Sequence, residues 1–450
     1  MLTYGGSIVL SVRSKRRRRD LILEKITNPG TATTVRQVRT GVMPDCTKEE
    51  FNRRLTGLRR QMELNGIDGL LLTQESNVRY ATGWYEVCWS IQAYFWMAFI
   101  PRDPALPPAL IVCSGGYPQT QGSWVETLVT WEFPKGFYTG KIGSTVVDAV
   151  VNWIGDLGLD QAHIATEMGA HFRMGMSVEM FDTLRRSLPD THWSDCGEIV
   201  WPLRSIKSEE EIRRLRESAR ITCLGIKAGF EALYDGTTER EIANLMSATM
   251  HSNGGSEIRS LILNAGPERA LWADSTPRRE MKIRTGSLIQ FDGGCTYDGY
   301  FTDIKRFASI GRPTLNQGKF YDLARASQEA AIETVGPGVP YSDVYEASQQ
   351  VLRNAGYTSF VESCQQAGMS AIGHNVGLDI HEMPGISSTT GEILQPNQVI
   401  CVEPYFFHDG GFPISEVKNK YGLEDMVLVT NEGNEILSPD SILSRDIWIA

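Results

Sequence analysis

The sequence predicts an α/β domain followed by a second domain built from two similar halves of helices and strands. Three observations lead to this prediction. Short apolar runs typical of buried strands alternate with capped helices over residues 44–203. A Trp201-Pro202-Leu203 stretch then precedes another capped helix, so we place the domain boundary near residue 204. Within residues 204–450, two pairs of helices joined by glycine-containing turns lie about a hundred residues apart.

The first domain begins with a helix after an irregular amino-terminal segment. Residues 1–43 lack a hydrophobic periodicity and are predicted to form a flexible leader. Thr47 and Glu50 then make a capping box in front of an apolar stripe at helical spacing. Leu70-Leu71-Leu72 and His163-Ile164-Ala165 are typical of short buried strands. Helices that alternate with such strands indicate an α/β domain.

The second domain shows a weak internal repeat. Asp235-Gly236 separates one pair of predicted helices, which carry capping boxes at Ser208 with Glu211 and at Thr238 with Glu241. A helix near 321–335 ends at Gly336-Pro337-Gly338, and we expect the next helix to start at Ser342. The repeat indicates a duplicated α/β half, or else the chance recurrence of a common turn.

Charge is distributed unevenly along the chain. The formal net charge is -10, yet the first nineteen residues hold six basic side chains and no acidic one, which leaves -16 for the remainder. An acidic body is unsuited to phosphate backbones, whose affinity for proteins comes mainly from Lys and Arg, so we expect no nucleic-acid partner. The basic run at 13–19 is assigned to the leader or to residues upstream of the true start, with a nuclear address or a polyanion contact as alternatives.

The remaining composition predicts a cytoplasmic protein without a membrane partner. No segment is apolar over the roughly 20 residues that a helix needs to cross a bilayer, and we find no export signal. The eight cysteines are scattered and form no C-x-x-C pair. This pattern argues against both a disulfide framework and a zinc ribbon, and it suits a reducing compartment.

Asp292 and Asp303 flank a predicted hairpin. Asp298-Gly299 is a strong signal for a two-residue turn, and a turn at that point pairs Gly294 with Asp303. Because side chains alternate between the two faces of a strand, Asp292 shares the face of Gly294, and both carboxylates project from one side. They could then bind a common ion or two neighbouring ions. The alternative is that both are solvated surface residues.

Further candidate ligands follow along the chain. His374 and His381 lie within eight residues of each other, near glycines that let a ligand approach the backbone, although a structural histidine pair is the alternative. Glu403 and Glu424 each border an apolar run typical of a strand, where a solvent-facing carboxylate is also common. Together, four carboxylates and one imidazole suit Mn, Co, Fe or Zn and match a two-metal hydrolytic centre.

These motifs, taken in order, resemble the pita-bread metallohydrolases. The Asp-x10-Asp hairpin, the histidine segment at 373–382, the Val-Glu-Pro strand end at Glu403 and the strand after Glu424 carry the resemblance over roughly 204–440. The family includes aminopeptidase P, prolidase and methionine aminopeptidase, with creatinase as a metal-free relative. The resemblance implies a creatinase-like α/β amino-terminal domain, followed by an α+β pita-bread domain with an internal pseudo-twofold repeat.

The resemblance also implies a metal site and residue roles. Two divalent ions would be bound by five side chains, Asp292, Asp303, His374, Glu403 and Glu424. Glu403 would in addition act as general base or acid on the attacking water, and His381 would hydrogen-bond the substrate or the intermediate. Paired cations acidify a water and polarise the carbonyl that it attacks, which is the chemistry of C–N bond hydrolysis.

The sequence departs from the family's peptidases in the residues that handle the peptide. Those enzymes have another catalytic histidine upstream of the hairpin, but here no histidine lies between His251 and His374, and Trp272 is the nearest counterpart by position. Ser370 replaces a further histidine, and Gly422 replaces an arginine of aminopeptidase P. Cleavage of a small amide or an Xaa-Pro type peptide is therefore one hypothesis. The alternatives are an enzyme for a small cationic solute, like ectoine hydrolase, creatinase or dimethylsulfoniopropionate lyase, and a non-catalytic binding protein.

Aromatic side chains are concentrated in the first domain, between Tyr80 and Phe99. In dimeric relatives this region approaches the partner's active site, so we expect a homodimer in which Trp84 and Trp89, together with Trp272, contact the substrate. Aromatic faces attract cations, which would suit a cationic substrate. Core packing or a dimer interface is the alternative use of these rings.

Overall fold

The computed structural model of the protein divides into two compact units between Leu203 and Arg204. It describes residues 35–37, 45–85, 89, 91, 94–114, 122–133, 142–266, 276–408 and 419–450. The basic run at 13–19 and most of the predicted leader lie outside these ranges. No helix within them combines the length and the apolar character needed to cross a membrane.

The first unit contains a seven-stranded mixed sheet with helices between the strands. The sheet has the order β1-β5-β4-β3-β2-β6-β7, with β1 (Val35–Gln37), β2 (Gly69–Leu72), β3 (Met97–Pro101), β4 (Ala109–Cys113), β5 (Thr127–Trp131), β6 (His163–Thr166) and β7 (His192–Asp195). The helices are α1 (Lys48–Leu64), α2 (Glu75–Thr82), α3 (Ile142–Leu157), α4 (Val178–Ser187) and α5 (Gly197–Ser205). The predicted α/β architecture is confirmed.

The apolar strands of this unit are buried on both faces. Leu71 belongs to one hydrophobic cluster, whereas its neighbours Leu70 and Leu72 belong to another. Side chains alternate along a strand, so an unbroken apolar run fits a sheet that is covered on both sides. At the start of α1 the Thr47 hydroxyl accepts a hydrogen bond from the Glu50 backbone N–H, which is one of the two bonds of the predicted capping box.

One part of the predicted leader is ordered. Residues Val35–Gln37 form β1, which pairs antiparallel with β5 at the edge of the sheet. The predicted flexible leader thus includes one paired segment, and its extent over residues 1–43 stays a prediction. Three residues are too few to display a periodicity, and their pairing partner, with Val35 opposite Val129, lies far away in sequence.

The described residues of the second unit form five further helices and two five-stranded sheets. The helices are α6 (Glu209–Glu231), α7 (Glu239–Ser252), α8 (Leu315–Thr334), α9 (Tyr341–Asn354) and α10 (Thr358–Gln366). One sheet joins β8 (Glu257–Ala265), β9 (Leu288–Tyr297), β10 (Tyr300–Phe301), β11 (Ile304–Ser309) and β19 (Trp448–Ile449). The other joins β12 (Ala371–Asn375), β13 (Glu382–Ser387), β14 (Val399–Val402), β17 (Asp425–Val429) and β18 (Asn434–Ile436), and β15 (Tyr405–His408) pairs with β16 (Asn419–Gly422).

The element order of this unit matches the predicted repeat. The pair α6 and α7 precedes the first sheet, and the pair α8 and α9 precedes the second. Ser208 and Thr238 cap their helices through complete capping boxes, as predicted. Helix α9 starts at Tyr341 with Pro340 as its N-cap, so the expected start at Ser342 is one residue late.

The two sheets of the second unit meet at one backbone bridge. The N–H groups of Lys305 and Glu424 each donate to the other residue's carbonyl at 3.3 Å. Behind this bridge, the Arg306 guanidinium donates to the carbonyls of Lys305 and Glu424 at 3.0 and 2.7 Å and pairs with buried Asp425. The junction therefore holds the end of β17 against β11, with the side chains of both strands fixed in position.

Candidate metal centre

The predicted hairpin brings Asp292 and Asp303 together. Tyr297 pairs with Tyr300, and farther along the strands Asp292 pairs with Lys305, which is the register that a turn at Asp298-Gly299 requires. Both turn residues have positive φ, 47° for Asp298 and 79° for Gly299, as the favoured two-residue hairpin turn demands. The hairpin prediction is confirmed.

His374 lies on β12, not in a surface loop, and faces the carboxylates. Its Nδ1 is 3.0 Å from the Asn375 carbonyl. A carbonyl can only accept, so Nδ1 carries a proton and Nε2 is directed to the other side of the ring. The Nε2 atom lies 3.7 Å from Asp303 Oδ2, 3.4 Å from Glu403 Oε1 and 3.7 Å from Glu424 Oε1.

A glycine next to His374 permits this position. Gly373 has a φ of 155°, and a Cβ atom there would lie 2.0 Å from the Cys401 carbonyl oxygen. Any larger residue would push β12 away from β14 and would move His374 with it. Gly373 therefore acts through the close packing of β12 against β14, not through the approach of a ligand.

Glu403 and Glu424 approach because β14 and β17 are antiparallel neighbours. Val402 at the end of β14 pairs with Asp425 at the start of β17. The next residue outward on one strand is Glu403, and on the other it is Glu424, so the register continues to a pair of facing carboxylates. The sequence predicted both strand ends but not that these two strands are partners.

We call the assembled side chains the carboxylate centre: Asp292, Asp303, Lys305, His374, Glu403 and Glu424. Three overlapping groups within the described residues have possible ligand atoms within 4.8 Å of one another: Asp292, Asp303 and Glu424; Asp303, His374 and His381; and His374, Cys401 and Glu424. Glu403 joins through its contact with His374. All five predicted ligands are therefore brought together.

Several polar atoms of this centre are buried and unsatisfied. Among the described residues, no hydrogen-bond partner of proper geometry exists for Asp303 Oδ1, His374 Nε2 or either carboxylate oxygen of Glu424. Such groups are costly to bury without a partner. Burial and the neighbouring carboxylates raise the pKa of Asp303 and of Glu424 well above the usual range. A cation among these oxygens would relieve both problems, so the donor set fits a divalent metal ion.

Lys305 belongs to the centre although the sequence reasoning did not include it. Its side chain is 1% exposed, and Nζ lies 3.0 Å from Asp292 Oδ2, 2.9 Å from Glu403 Oε2 and 3.7 Å from Glu424 Oε2. Burial alone would lower the pKa of Lys305, but the facing carboxylates outweigh it and raise the pKa well above its usual value. The signal was present in the sequence, because the hairpin register that aligns Asp292 with Asp303 also sets Lys305 directly opposite Asp292.

Glu403 differs electrostatically from Asp303 and Glu424. Burial acts to raise its pKa, but the Lys305 ammonium and the His374 ring together hold the pKa of Glu403 well below the usual range. Glu403 is therefore the carboxylate of this centre that is most firmly ionised at neutral pH.

His381 belongs to a segment that is held in place by a second group of charged side chains. We call this set the Glu382 network: Arg204, Lys207, Asp379 and Glu382. The Glu382 carboxylate pairs with Arg204 and accepts from Lys207 Nζ at 3.1 Å, and Arg204 also reaches Asp379 at 2.9 Å. The His381 side chain is 69% exposed, with Nε2 3.9 Å from Asp303 Oδ2 and its ring centroid 4.0 Å from that of His374. It lies where a bound substrate could reach it.

Two of the three tryptophans predicted to contact the substrate, Trp84 and Trp89, belong to the first unit. Trp272 lies outside the described residues. Trp84, which is 1% exposed, and partly buried Trp89 pack in the first unit, with ring centroids 5.8 Å apart. Trp84 also contacts Trp96 at 5.1 Å. The packing alternative thus accounts for Trp84, and a substrate role for any of the three predicted tryptophans stays a prediction.

Comparison with known proteins agrees with the residue pattern. A family model described as metallopeptidase family M24 matches residues 213–431, and one described as creatinase/prolidase N-terminal domain matches residues 54–206. An uncharacterized peptidase of Staphylococcus haemolyticus is 30% identical over 265 residues, which are 58% of this chain and 71% of the relative. An uncharacterized peptidase of Staphylococcus aureus is 29% identical over 246 residues, so that 55% of this chain spans 66% of that relative's length.

Solved structures extend the likeness to both units. The crystal structure of a prolidase from Thermococcus sibiricus matches with a TM-score of 0.75 at 21% identity, covering 89% of this chain and 99% of the prolidase. At this identity the match establishes the fold, and it confirms the expected pita-bread architecture. The chain therefore belongs to metallopeptidase family M24, with a creatinase-type amino-terminal domain followed by a pita-bread domain.

Proposed function

We propose that the chain is a metal-dependent hydrolase that cleaves a C–N bond in a short peptide, of Xaa-Pro type, or in a small amide. The observation that carries this proposal is the carboxylate centre itself, a buried set of acidic groups and one imidazole in which several ligand atoms have no hydrogen-bond partner within the described ranges. Membership of a metallopeptidase family supports hydrolysis, and the likeness to a prolidase supports a peptide that ends in proline.

The residues divide into ion-holding and proton-handling groups. Asp303, His374 and Glu424 would hold a divalent ion, because Asp303 Oδ2 and Glu424 Oε1 each lie 3.7 Å from His374 Nε2. When bound, such an ion polarises a carbonyl and acidifies a water. Glu403 is the proposed general base, since its lowered pKa leaves it ionised at neutral pH and its Oε1 lies 3.4 Å from His374 Nε2, beside the ion-holding groups.

His381 is proposed as the group that meets the substrate. Its exposed side chain extends beside Asp303 and His374, so it can donate a hydrogen bond to an oxygen of the scissile group as negative charge develops there. The buried Glu382 network fixes the backbone on one side of it. The histidine is thus held on a rigid support while its ring remains accessible.

The charge of the centre favours a second candidate. Four carboxylates and one ammonium give a formal charge of −3 when His374 is neutral, so a small cationic solute would be attracted to the site. An enzyme that acts on such a solute is therefore the alternative to the peptide or amide hydrolase. A homodimer and a cytoplasmic location also stay proposals, and the latter is supported by seven buried cysteines among the described residues, which suit a reducing compartment.

The test is turnover of a defined substrate panel by the full chain supplied with Mn, Co, Fe or Zn. Xaa-Pro dipeptides and tripeptides, small amides and cationic solutes are incubated with the protein, and products are identified by mass spectrometry. We expect peptide or amide cleavage that a chelator abolishes and that Glu403→Gln slows by about 10²–10⁴-fold. The matched control Glu362→Gln, on the exposed face of α10, should leave the rate unchanged.

The other outcomes of the substrate panel would favour one of the two alternative functions. Turnover of a cationic solute alone would favour the second candidate. A protein that binds metal yet transforms none of the panel would refute the peptidase proposal and would favour the binding protein.

A further inference from the structure

The carboxylate centre already contains a cation that belongs to the chain. We propose that the Lys305 ammonium occupies the place of a second cation, so that the centre binds one divalent ion and not two. This inference rests on the proposed function for the presence of that one ion. The sequence-based prediction of two ions counted the carboxylates and the imidazole but left out this lysine.

The centre separates into a satisfied half and an open half. Lys305 Nζ lies at hydrogen-bond distance from Asp292 Oδ2 and Glu403 Oε2, at 3.0 and 2.9 Å. On the other side, Asp303 Oδ1, His374 Nε2 and both Glu424 oxygens lack a hydrogen-bond partner among the described residues. A protonated amine has no lone pair and cannot be a metal ligand, so the satisfied half offers a second ion fewer free oxygens than the sequence suggested.

Lys305 is held in place along its whole length. Its backbone forms the bridge to Glu424 that joins the two sheets, and its Cα is paired with that of Asp292. Every residue of β11, Ile304–Ser309, is buried. The ammonium therefore cannot turn outward to solvent and vacate the centre without disrupting the junction between the sheets.

The charge balance of the centre also favours one bound ion. With neutral His374, the four carboxylates and the ammonium sum to −3, and one divalent ion brings the centre to −1. A second divalent ion would make a buried centre positive, with the ammonium as a close neighbour of like charge. Buried like charges repel strongly because the interior screens them poorly. The lysine thus supplies part of the positive charge that a second ion would otherwise bring.

The test is the number of ions bound by the full chain and by matched variants. Protein is dialysed against Mn or Co, and bound metal per chain is measured by elemental analysis, with folding checked by circular dichroism. We expect one ion in the wild-type protein. Lys305→Ala, which removes both the charge and the side-chain volume, should bind two. Lys305→Met, which removes the charge but keeps most of the volume, separates the two effects: two bound ions would show that the charge of Lys305 excludes the second ion, and one bound ion that its volume does.

A control and a second measurement keep the result interpretable. Lys207→Met removes another buried ammonium, that of the Glu382 network, and should leave the metal count at one. Electron paramagnetic resonance of the Mn-loaded wild-type protein requires no variant to fold, and we expect the spectrum of isolated Mn ions.

The outcomes separate this inference from the proposed function. Two ions in the wild-type protein, an exchange-coupled Mn spectrum, or a folded Lys305→Ala variant that still binds one ion would each overturn the role given to Lys305. A wild-type protein that binds no metal would overturn the proposed metal-dependent function itself. One bound ion without turnover would contradict hydrolysis and leave the role of Lys305 intact.

Discussion

The second unit contains two buried charge networks whose balance is opposite. In the Glu382 network, two basic side chains face two carboxylates, and Glu382 is surrounded by Arg204, Lys207 and the backbone of Asp379. In the carboxylate centre, four carboxylates share one ammonium, and several oxygens have no partner among the described residues. Both are buried in the same pita-bread domain, so burial alone does not tell them apart.

The pKa values of the acidic groups show the consequence. Burial acts to raise the pKa of Glu382, but Arg204 and Lys207 reverse this effect and hold the pKa below its usual value. For Glu424, burial and the carboxylates of Asp303 and Glu403 act together and raise the pKa well above its usual value. A balanced buried network neutralises its own charges within the fold, whereas a buried acidic excess needs an added cation or added protons. The imbalance is the signature of a binding site.

Breaking the balanced network should have the largest effect on stability. Arg204→Met leaves Glu382 buried with only the lysine as its basic partner, and loss of one member of a buried ion pair costs about 3–5 kcal/mol. Urea denaturation should show this loss in the free energy of unfolding. Arg279→Met, at an exposed position of the same unit, should change it by less than about 0.5 kcal/mol. A loss in the Arg204 variant no larger than in this control would contradict a structural role for the network.

Removing a charge from the carboxylate centre should not lower the stability of the metal-free protein, in contrast to the loss of Arg204. In metal-free protein Asp303→Asn relieves repulsion at a carboxylate whose pKa is raised, so the variant should be no less stable than the wild-type chain. With metal at about 100 times its dissociation constant, the wild-type protein should gain about 2.7 kcal/mol, and the variant much less. Thermal unfolding with chelator and with metal gives both numbers. An equal metal-induced gain in both proteins would exclude Asp303 as a ligand.

The two networks should also respond oppositely to pH when metal is absent. The folded pKa of Glu424 is raised, so the metal-free protein should lose stability as the pH rises from about 4 toward that pKa, by up to about 1.4 kcal/mol per pH unit. The folded pKa of Glu382 is lowered, so its contribution is present above about pH 4.5 and is lost as the pH falls through the folded pKa. Melting temperatures in chelator should decline less with rising pH in Glu424→Gln. An unchanged slope would mean that Glu424 does not titrate differently in the folded chain.

The parts of the site that are local in sequence could be predicted. The turn at Asp298-Gly299 fixes the register of its hairpin, and that register places Asp292 and Asp303 on one face without any knowledge of the fold. The same rule places Lys305 on that face, and the prediction missed it only because ligand types alone were counted. A prediction of a metal site should therefore count all charged residues on the predicted face, basic ones included.

Long-range pairing could not be predicted from the sequence. Glu403 and Glu424 face each other because β14 and β17 are neighbours, and two apolar strands do not specify which strand each will join. The pairing of Val35–Gln37 with β5 was missed for the same reason. Arg204 and Glu382 lie 178 residues apart, and neither carries a local pattern that indicates a buried ion pair. The family resemblance supplied the grouping of the ligands that strand periodicity alone left open.

The smallest effect on stability is expected at His381, immediately before Glu382. Its side chain is 69% exposed, while that of Glu382 is 1% exposed. Of these two consecutive residues, His381 is therefore accessible and Glu382 is buried. His381→Gln should change the free energy of unfolding by less than about 0.5 kcal/mol and should leave the bound metal unchanged. If the ring stabilises developing negative charge, kcat should nevertheless fall by about 10²–10³-fold, measured on whichever substrate the panel identifies. A rise in KM at constant kcat would instead show that the ring binds substrate and transition state equally, and the proposed role of His381 in the chemical step would then be wrong.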